Sequence, residues 1–326
     1  MVEEIFMTKS RKALWFSALI LVLFFIVTMG IVWRVYMQDN SFADQKIGVN
    51  FSVSKATALG LDWQQVYVSM LDDWGVRNFR LSADWPEIQK IESDWDFTTL
   101  DWFLAEADKR GAQVIIALGQ RSVHWYECQI PLWLEGKSES WRHDKEVAMI
   151  KKVVMRYHSN PALKAWQLQD APLRSGNKNC PAQNLDILRS EQALIKTYDN
   201  QHPVIVSDKA TAWSWFATTK IADSLALTFS SDMTEQSFFQ PSLNKGSAWQ
   251  YGLKALLSKK KVSQLIISDL PIDSELVVSA DQQATNAKKF GFAEIYLSDL
   301  EKCFVAENFD KDDSFYLIAK KIFNHN

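Results

Sequence analysis

The stretch VRNFRLSADWPEIQKIESDWDFTTLDWFLAEADKRGAQVIIAL, residues 76–118, decides how this chain folds. It opens on a short run, Arg77–Leu81, and closes on a more apolar one, Gln113–Leu118. Between them Leu100–Arg110 places Leu104, Ala105 and Ala107 in a helix-like register. Strand, helix and strand in this order make a crossover unit, the connection that lets two strands lie parallel. The second run is apolar throughout rather than alternating, which marks a strand covered on both faces.

The same unit recurs outward in both directions. Further runs lie at Ile47–Phe51, Leu163–Leu168, Pro203–Ser207, Leu225–Phe229, Gln264–Ser268 and Ala293–Leu297, giving eight in all. Helical patterns separate them, among them Asp62–Trp74, with Val66, Val68, Met70 and Leu71, and Lys145–Tyr157, with Val147, Ile150, Val153 and Val154. Later helical stretches fall near residues 184–198, 211–220, 248–258, 281–289 and 314–323. Eight strand–helix units in the span after Lys46 predict a closed (β/α)8 barrel, the TIM barrel, rather than an open doubly wound sheet. No Gly-x-Gly-x-x-Gly follows the first strand, so a dinucleotide fold lacks its fingerprint.

Before the barrel, Ala13–Trp33 carries no charge, and a run of about 20 apolar residues spans a bilayer core as a helix. Trp15 and Trp33 sit near its ends, where aromatic belts form, and Lys9, Arg11 and Lys12 precede it. The reading is therefore a cytoplasmic tail (1–12), a single transmembrane anchor (13–33), a stalk (34–45) and an extracytoplasmic barrel (46–326) at the cell membrane. A cleaved signal peptide is the rival, but the run is long and Ile31-Val32-Trp33-Arg34 is a poor cleavage site.

The formal charge of −3 gives no basic stripe for nucleic acid, so none is expected as a partner. The five histidines are scattered and none pairs with another at ligand spacing, and Cys128, Cys180 and Cys303 fit no zinc motif. No metal and no cofactor is expected. An oxidising compartment permits one disulfide, and Cys128 with Cys180, in the loops after neighbouring strands 3 and 4, is the expected pair.

Barrels of this kind place their chemistry at the C-terminal ends of the strands. The segments to inspect are Ser52 and Ser54, Arg80–Glu87, Gln120–Cys128, Gln169–Leu173, Asp208, Phe229–Asp232, Asp269–Glu275 and Ser298–Glu301. In these segments the sequence resembles the cellulase-like retaining glycoside hydrolases with a (β/α)8 barrel, and among them bacterial membrane-associated or secreted members. The resemblance runs from about Gly48 to Phe323. It is carried by Gly48-Val49-Asn50-Phe51-Ser52, Val76–Ile88, Asp94-Trp95-Asp96-Phe97, Gly119-Gln120-Arg121, Trp125–Pro131, Tyr157–Pro161 and Leu163–Leu168, by their order and spacing together.

Such enzymes need two carboxyl groups flanking the glycosidic bond, about 5–5.5 Å apart in retaining members. The resemblance places the acid/base in an Asn-Glu-Pro motif after strand 4, where this chain reads Asp170-Ala171-Pro172. Ala171 has no proton to give, and general acid help is worth roughly 10²–10⁴-fold. The nucleophile, a Glu ending strand 7, is matched by Asp269, one methylene shorter. A Tyr near the end of strand 6 and a Trp after strand 8 are also missing. The catalytic motif is thus degenerate within an otherwise retained pattern.

The resemblance further implies substrate contacts for Arg80, Gln169, Trp125, Glu127 and Trp85. Against all but Gln169 stands a plainer role: Arg80 in an ion pair with Asp84 or Asp170, Glu127 capping its loop, and Trp85, Trp125, Trp133 and Trp141 packing over the barrel. The expected function is a membrane-anchored, glycosidase-like protein, catalytically impaired, that binds a carbohydrate or an envelope protein partner. Two alternatives stay open: an active glycosidase using Asp269 with Asp170 or Glu127 as a displaced acid/base, and a non-catalytic scaffold in a polysaccharide or envelope assembly.

Overall fold

A computed structural model describes residues 15–30, 46–121, 128–173, 183–208, 216–230, 262–268 and 293–305, with residues 317, 320, 322 and 323. Eight parallel strands close into a barrel in sequence order: β1 (Lys46–Asn50), β2 (Asn78–Ser82), β3 (Gln113–Leu118), β4 (Leu163–Leu168), β5 (Val204–Asp208), β6 (Ser224–Ser230), β7 (Val262–Ser268) and β8 (Glu294–Ser298). The closing pair is β8 with β1, in register from Lys46 opposite Glu294 to Asn50 opposite Ser298. Every strand overlaps an apolar run read from the sequence. The fifth begins one residue late, at Val204, because Pro203 has no N–H to give a ladder; its carbonyl still accepts from the Trp166 N–H at 3.0 Å.

The helices follow from their caps and apolar stripes. Residues 15–30 form α1; α2 is Val53–Ala58, α3 Trp63–Asp72, α4 Trp85–Ile88, α5 Thr98–Lys109, α6 Glu139–Tyr157, α7 Leu185–Tyr198 and α8 Lys302–Val305. Asp62 starts α3 by accepting from the Gln64 and Gln65 N–H groups, Ser138 starts α6 through the Trp141 N–H, and Asn184 starts α7 through the Asp186 N–H. On α6 the buried residues Met149, Ile150, Val153, Val154 and Tyr157 recur at three- and four-residue spacing, so one stripe faces the barrel.

Strand alternation splits the core in two. The outer layer packs helices on strands, with Val114, Ile116, Leu118, Trp166, Leu168 and Leu297 facing outward. The inner layer is a small plug of Ile115, Ala165, Ile205, Ala226 and Tyr296. Gly48 is needed here, because a Cβ at that position would collide with the Tyr296 ring and the Asn78 carbonyl. Below the plug Lys164 pairs with Glu294 at 2.6 Å and donates to Asn78 at 3.1 Å; above it lies the polar mouth.

Among the described residues no helix is long and apolar enough to cross a membrane. The described part of α1 covers residues 15–30 of the expected anchor 13–33, and residues 31–45, including the expected stalk, lie outside the described set.

Candidate functional site at the C-terminal mouth of the barrel

Gln167, Ser207 and Ser298 lie two residues beyond the plug on β4, β5 and β8, and Asn50 and Arg80 join them from β1 and β2. Arg80 is 0% exposed and stands at the centre. Its Nε donates to Gln167 Oε1 at 2.5 Å, its Nη1 to Asn50 Oδ1 at 3.0 Å and its Nη2 to Asp170 Oδ1 at 2.8 Å. Burial pulls Arg80 below the ordinary arginine range, and the Asp170 charge opposes that pull. Of the two plainer partners weighed for Arg80, the structure selects Asp170. Asp170 also accepts from Ser207 Oγ at 2.8 Å and from Gln167 Nε2 at 3.3 Å, all on one oxygen. Asn50 Nδ2 donates onward to Ser298 Oγ at 2.8 Å. The Nε, Nη1 and Nη2 of Arg80 each reach a protein acceptor, and a bound ligand would meet Asp170, 18% exposed, before it met Arg80.

The end of β4 is strained. Gln169 and Ala171 both have positive φ, 57° and 42°, which side chains other than glycine adopt at a cost of order 1–3 kcal/mol each. The strain is held by a dense set of bonds. The Arg121 N–H donates to Gln169 Oε1 at 2.9 Å, the Asp170 N–H to the Arg121 carbonyl at 3.1 Å, the Ala171 N–H to Ser207 Oγ at 2.7 Å and Arg121 Nη1 to the Ala171 carbonyl at 3.0 Å. The position at which the resemblance places the acid/base therefore carries a buried methyl group, fixed in place, with Asp170 beside it locked to Arg80.

Two expectations are corrected. Trp85 is 1% exposed and its Nε1 donates to Gln89 at 3.0 Å, so it is core under the mouth rather than a stacking platform. Trp133 and Trp141 are half-buried and pack edge to face against each other, with Trp133 Nε1 bonded to the Gln89 carbonyl. Gln169 is fully buried, and its carboxamide is used by Arg121 and Glu146, not offered to the mouth, because the positive φ turns it outward. Asp269, Trp125, Glu127 and Cys180 lie outside the described residues. Cys128 is disulfide-bonded, and Cys303 is a free, buried thiol.

Behind β4, on the helix side, lies a cluster that the scattered histidines did not lead one to expect. His143 and Glu146 stand one turn apart on α6, and Glu191 faces them from α7; one ligand atom from each lies within 4.8 Å of the others. Glu146 Oε1 accepts from the Gln120 N–H and from Gln169 Nε2, both at 2.6 Å. Burial raises the Glu146 carboxyl above its ordinary range; burial, then the Glu146 charge, raises Glu191 well above it. The His-x-x-Glu spacing on α6 is the signal the sequence carries for it.

A separate cavity of about 190 Å³ opens beside β1 and β2, lined by Phe51, Trp63, Asp84, Glu87, Asp96 and Phe103 among others. Burial, with Glu87 nearby, pushes Asp84 up to about 6. Neither Arg80 nor Asp170 lines it.

No protein family and no curated protein matches this sequence. Solved structures do match the fold. A GH5_18 protein of Streptomyces cattleya, in complex with Manb1-4GlcNAc, superposes with a TM-score of 0.59 at 12% identity, over 78% of this chain and 70% of that one. An exo-beta-1,4-mannosidase from Opitutaceae bacterium strain TAV5 gives 0.60 at 13% identity, over 80% of this chain but only 54% of that one. An endo-1,4-beta-D-mannanase from Thermotoga petrophila RKU-1 gives 0.53 at 14% identity, over 78% and 88%. At these identities the likeness establishes the fold: this chain is built as the barrel on which GH5 glycoside hydrolases are built.

Proposed function

We propose that this chain is a catalytically impaired, glycosidase-like barrel that binds a glycan at its mouth without cleaving it. One observation carries this reading. The strand-4 end, where the acid/base would stand, presents the buried methyl of Ala171, and its neighbouring carboxylate is committed to the buried Arg80. A leaving sugar would find no placed proton there. Asp269, one methylene shorter than the Glu that the resemblance places there, supports the same reading from sequence. Because two similar structures are named as a beta-1,4-mannosidase and a beta-D-mannanase and a third holds Manb1-4GlcNAc, β-1,4-linked manno-oligosaccharides are the first ligands to test.

Residues 13–33 are proposed as a single membrane anchor, with the N-terminus cytoplasmic and the barrel outside. The helix at 15–30 supports this. Its apolar side chains, Phe16, Leu19, Leu21, Phe24 and Phe25 among them, are exposed on every side, which suits an apolar surrounding better than water.

The test is turnover of aryl β-mannosides and binding of manno-oligosaccharides by the full-length chain in detergent, beside Asp269→Ala and the double change Ala171→Glu with Asp269→Glu. The expected result is binding without hydrolysis in the native chain and hydrolysis in the double variant. Native turnover that Asp269→Ala abolishes would make Asp269 a working nucleophile and end the impaired reading.

A further inference from the structure

We propose that His143, Glu146 and Glu191 bind a divalent first-row transition metal ion of the zinc class, at a site behind strand β4 and separate from the barrel mouth. Three kinds of observation carry this. The first is geometry. His143 Nδ1 lies 3.6 Å from Glu191 Oε1, and a ligand atom of Glu146 joins them within 4.8 Å. Ligands about 2.0–2.2 Å from a tetrahedral zinc ion stand roughly 3.3 Å apart, so one edge is nearly set and the others close by a small side-chain movement.

The second is an unmet acceptor. Glu191 is 0% exposed, and its Oε1, the atom that faces His143, has no hydrogen-bond partner among the described residues. A buried carboxylate oxygen without a donor costs free energy, and a cation between it and the imidazole removes that cost. The third is charge and support. Two acidic side chains are buried side by side; Arg142 acts on Glu146, and the Glu146 charge acts on Glu191. Glu146 is already oriented as a metal-binding carboxylate should be, with one oxygen held by the Gln120 N–H and Gln169 Nε2 and the other not engaged by them.

The imidazole nitrogen decides the class of ion. Magnesium and calcium take all-oxygen shells, whereas one nitrogen with two carboxylates suits zinc and its neighbours. His143 is half-buried and gives the site an open side, through which the ion enters and where water completes the shell. Through Gln169, which bridges Glu146 and the Arg121 N–H, the ion would brace the strained end of β4.

The test is calorimetric titration of the EDTA-stripped, full-length chain in detergent with zinc chloride, and with magnesium chloride in parallel. Cobalt(II) chloride reports coordination by its visible absorption. One saturable zinc equivalent is expected, with a melting midpoint raised by several degrees and no matching magnesium heat. Glu191→Gln, nearly isosteric and buried, and His143→Ala, half-exposed, should each abolish the saturable binding and the cobalt spectrum while leaving the circular dichroism unchanged. The absence of saturable zinc binding by the native chain overturns the proposal. So does binding that survives Glu191→Gln or His143→Ala, which would place the ion on other histidines, or magnesium binding of equal strength.

Discussion

The two sides of the β4 end hold buried acidic groups in opposite states. On the inner side Asp170 meets Arg80, Ser207 and Gln167, so charge and donors match the carboxylate. On the outer side Glu146 and Glu191 crowd together with amide donors on Glu146 and an orphaned oxygen on Glu191. Three residues of one strand end, Gln169, Asp170 and Ala171, serve both sides. The difference teaches that burying an acid is not by itself a sign of function. A balanced carboxylate is explained by its own partners; an unbalanced pair asks for something the chain does not supply.

The inner side breaks most expensively. Arg80→Met should cost about 3–5 kcal/mol in denaturant unfolding, because it strands Asp170 and two carboxamide oxygens with no cation between them. A cost below 1 kcal/mol would mean that the match is not what holds the mouth.

A fourth acid, Glu301, sharpens the comparison from the β8 end. It is fully buried and accepts from the Ser52 N–H at 2.7 Å, while the nearby Lys55 pairs with Asp299 instead. Burial pushes its carboxyl up to about 7. The folded value lies above the unfolded one of about 4.3, so the neutral acid favours folding at low pH. That contribution is complete below about 4.3 and is lost as pH rises through about 7, on the order of 3 kcal/mol in all. Melting midpoints across pH 4–8 should show the fall, and Glu301→Gln should flatten it; an unchanged slope would assign the loss elsewhere.

Gly119 couples the two sides of β4. Its φ is +101°, and a Cβ there would fall on the Gln169 carboxamide. Gly119→Ala should cost about 1–3 kcal/mol, measured by thermal unfolding, and should also weaken zinc binding by displacing the amide that orients Glu146. The smallest effect belongs to the outer side without metal. Glu191→Gln in EDTA should change stability by less than about 1 kcal/mol, since it removes an oxygen that had no donor. A large loss would show that the pair is balanced after all.

Most of the barrel was legible because parallel strands covered on both faces need near-continuous apolar runs, and eight of them overlap eight observed strands. The mouth was half legible. Arg80 lies within β2 and Asp170 just past β4, in the segments singled out from sequence, but which acid paired with Arg80 needed the closed mouth. Trp85 was misread because loop position says nothing of depth, and Gln169 because a positive φ turned it away from its strand parity.

By itself the sequence determined the strand–helix period, the long apolar run near the N-terminus and the presence of an alanine at position 171, since these are matters of which side chain stands at which repeat. Tertiary structure alone decided the partners of buried charge. Glu146 and Glu191 lie far apart in the chain and meet because α6 packs against α7, while Arg80 and Asp170 meet because barrel closure points both inward. Electrostatics acts through distance in space, and only the fold sets that distance.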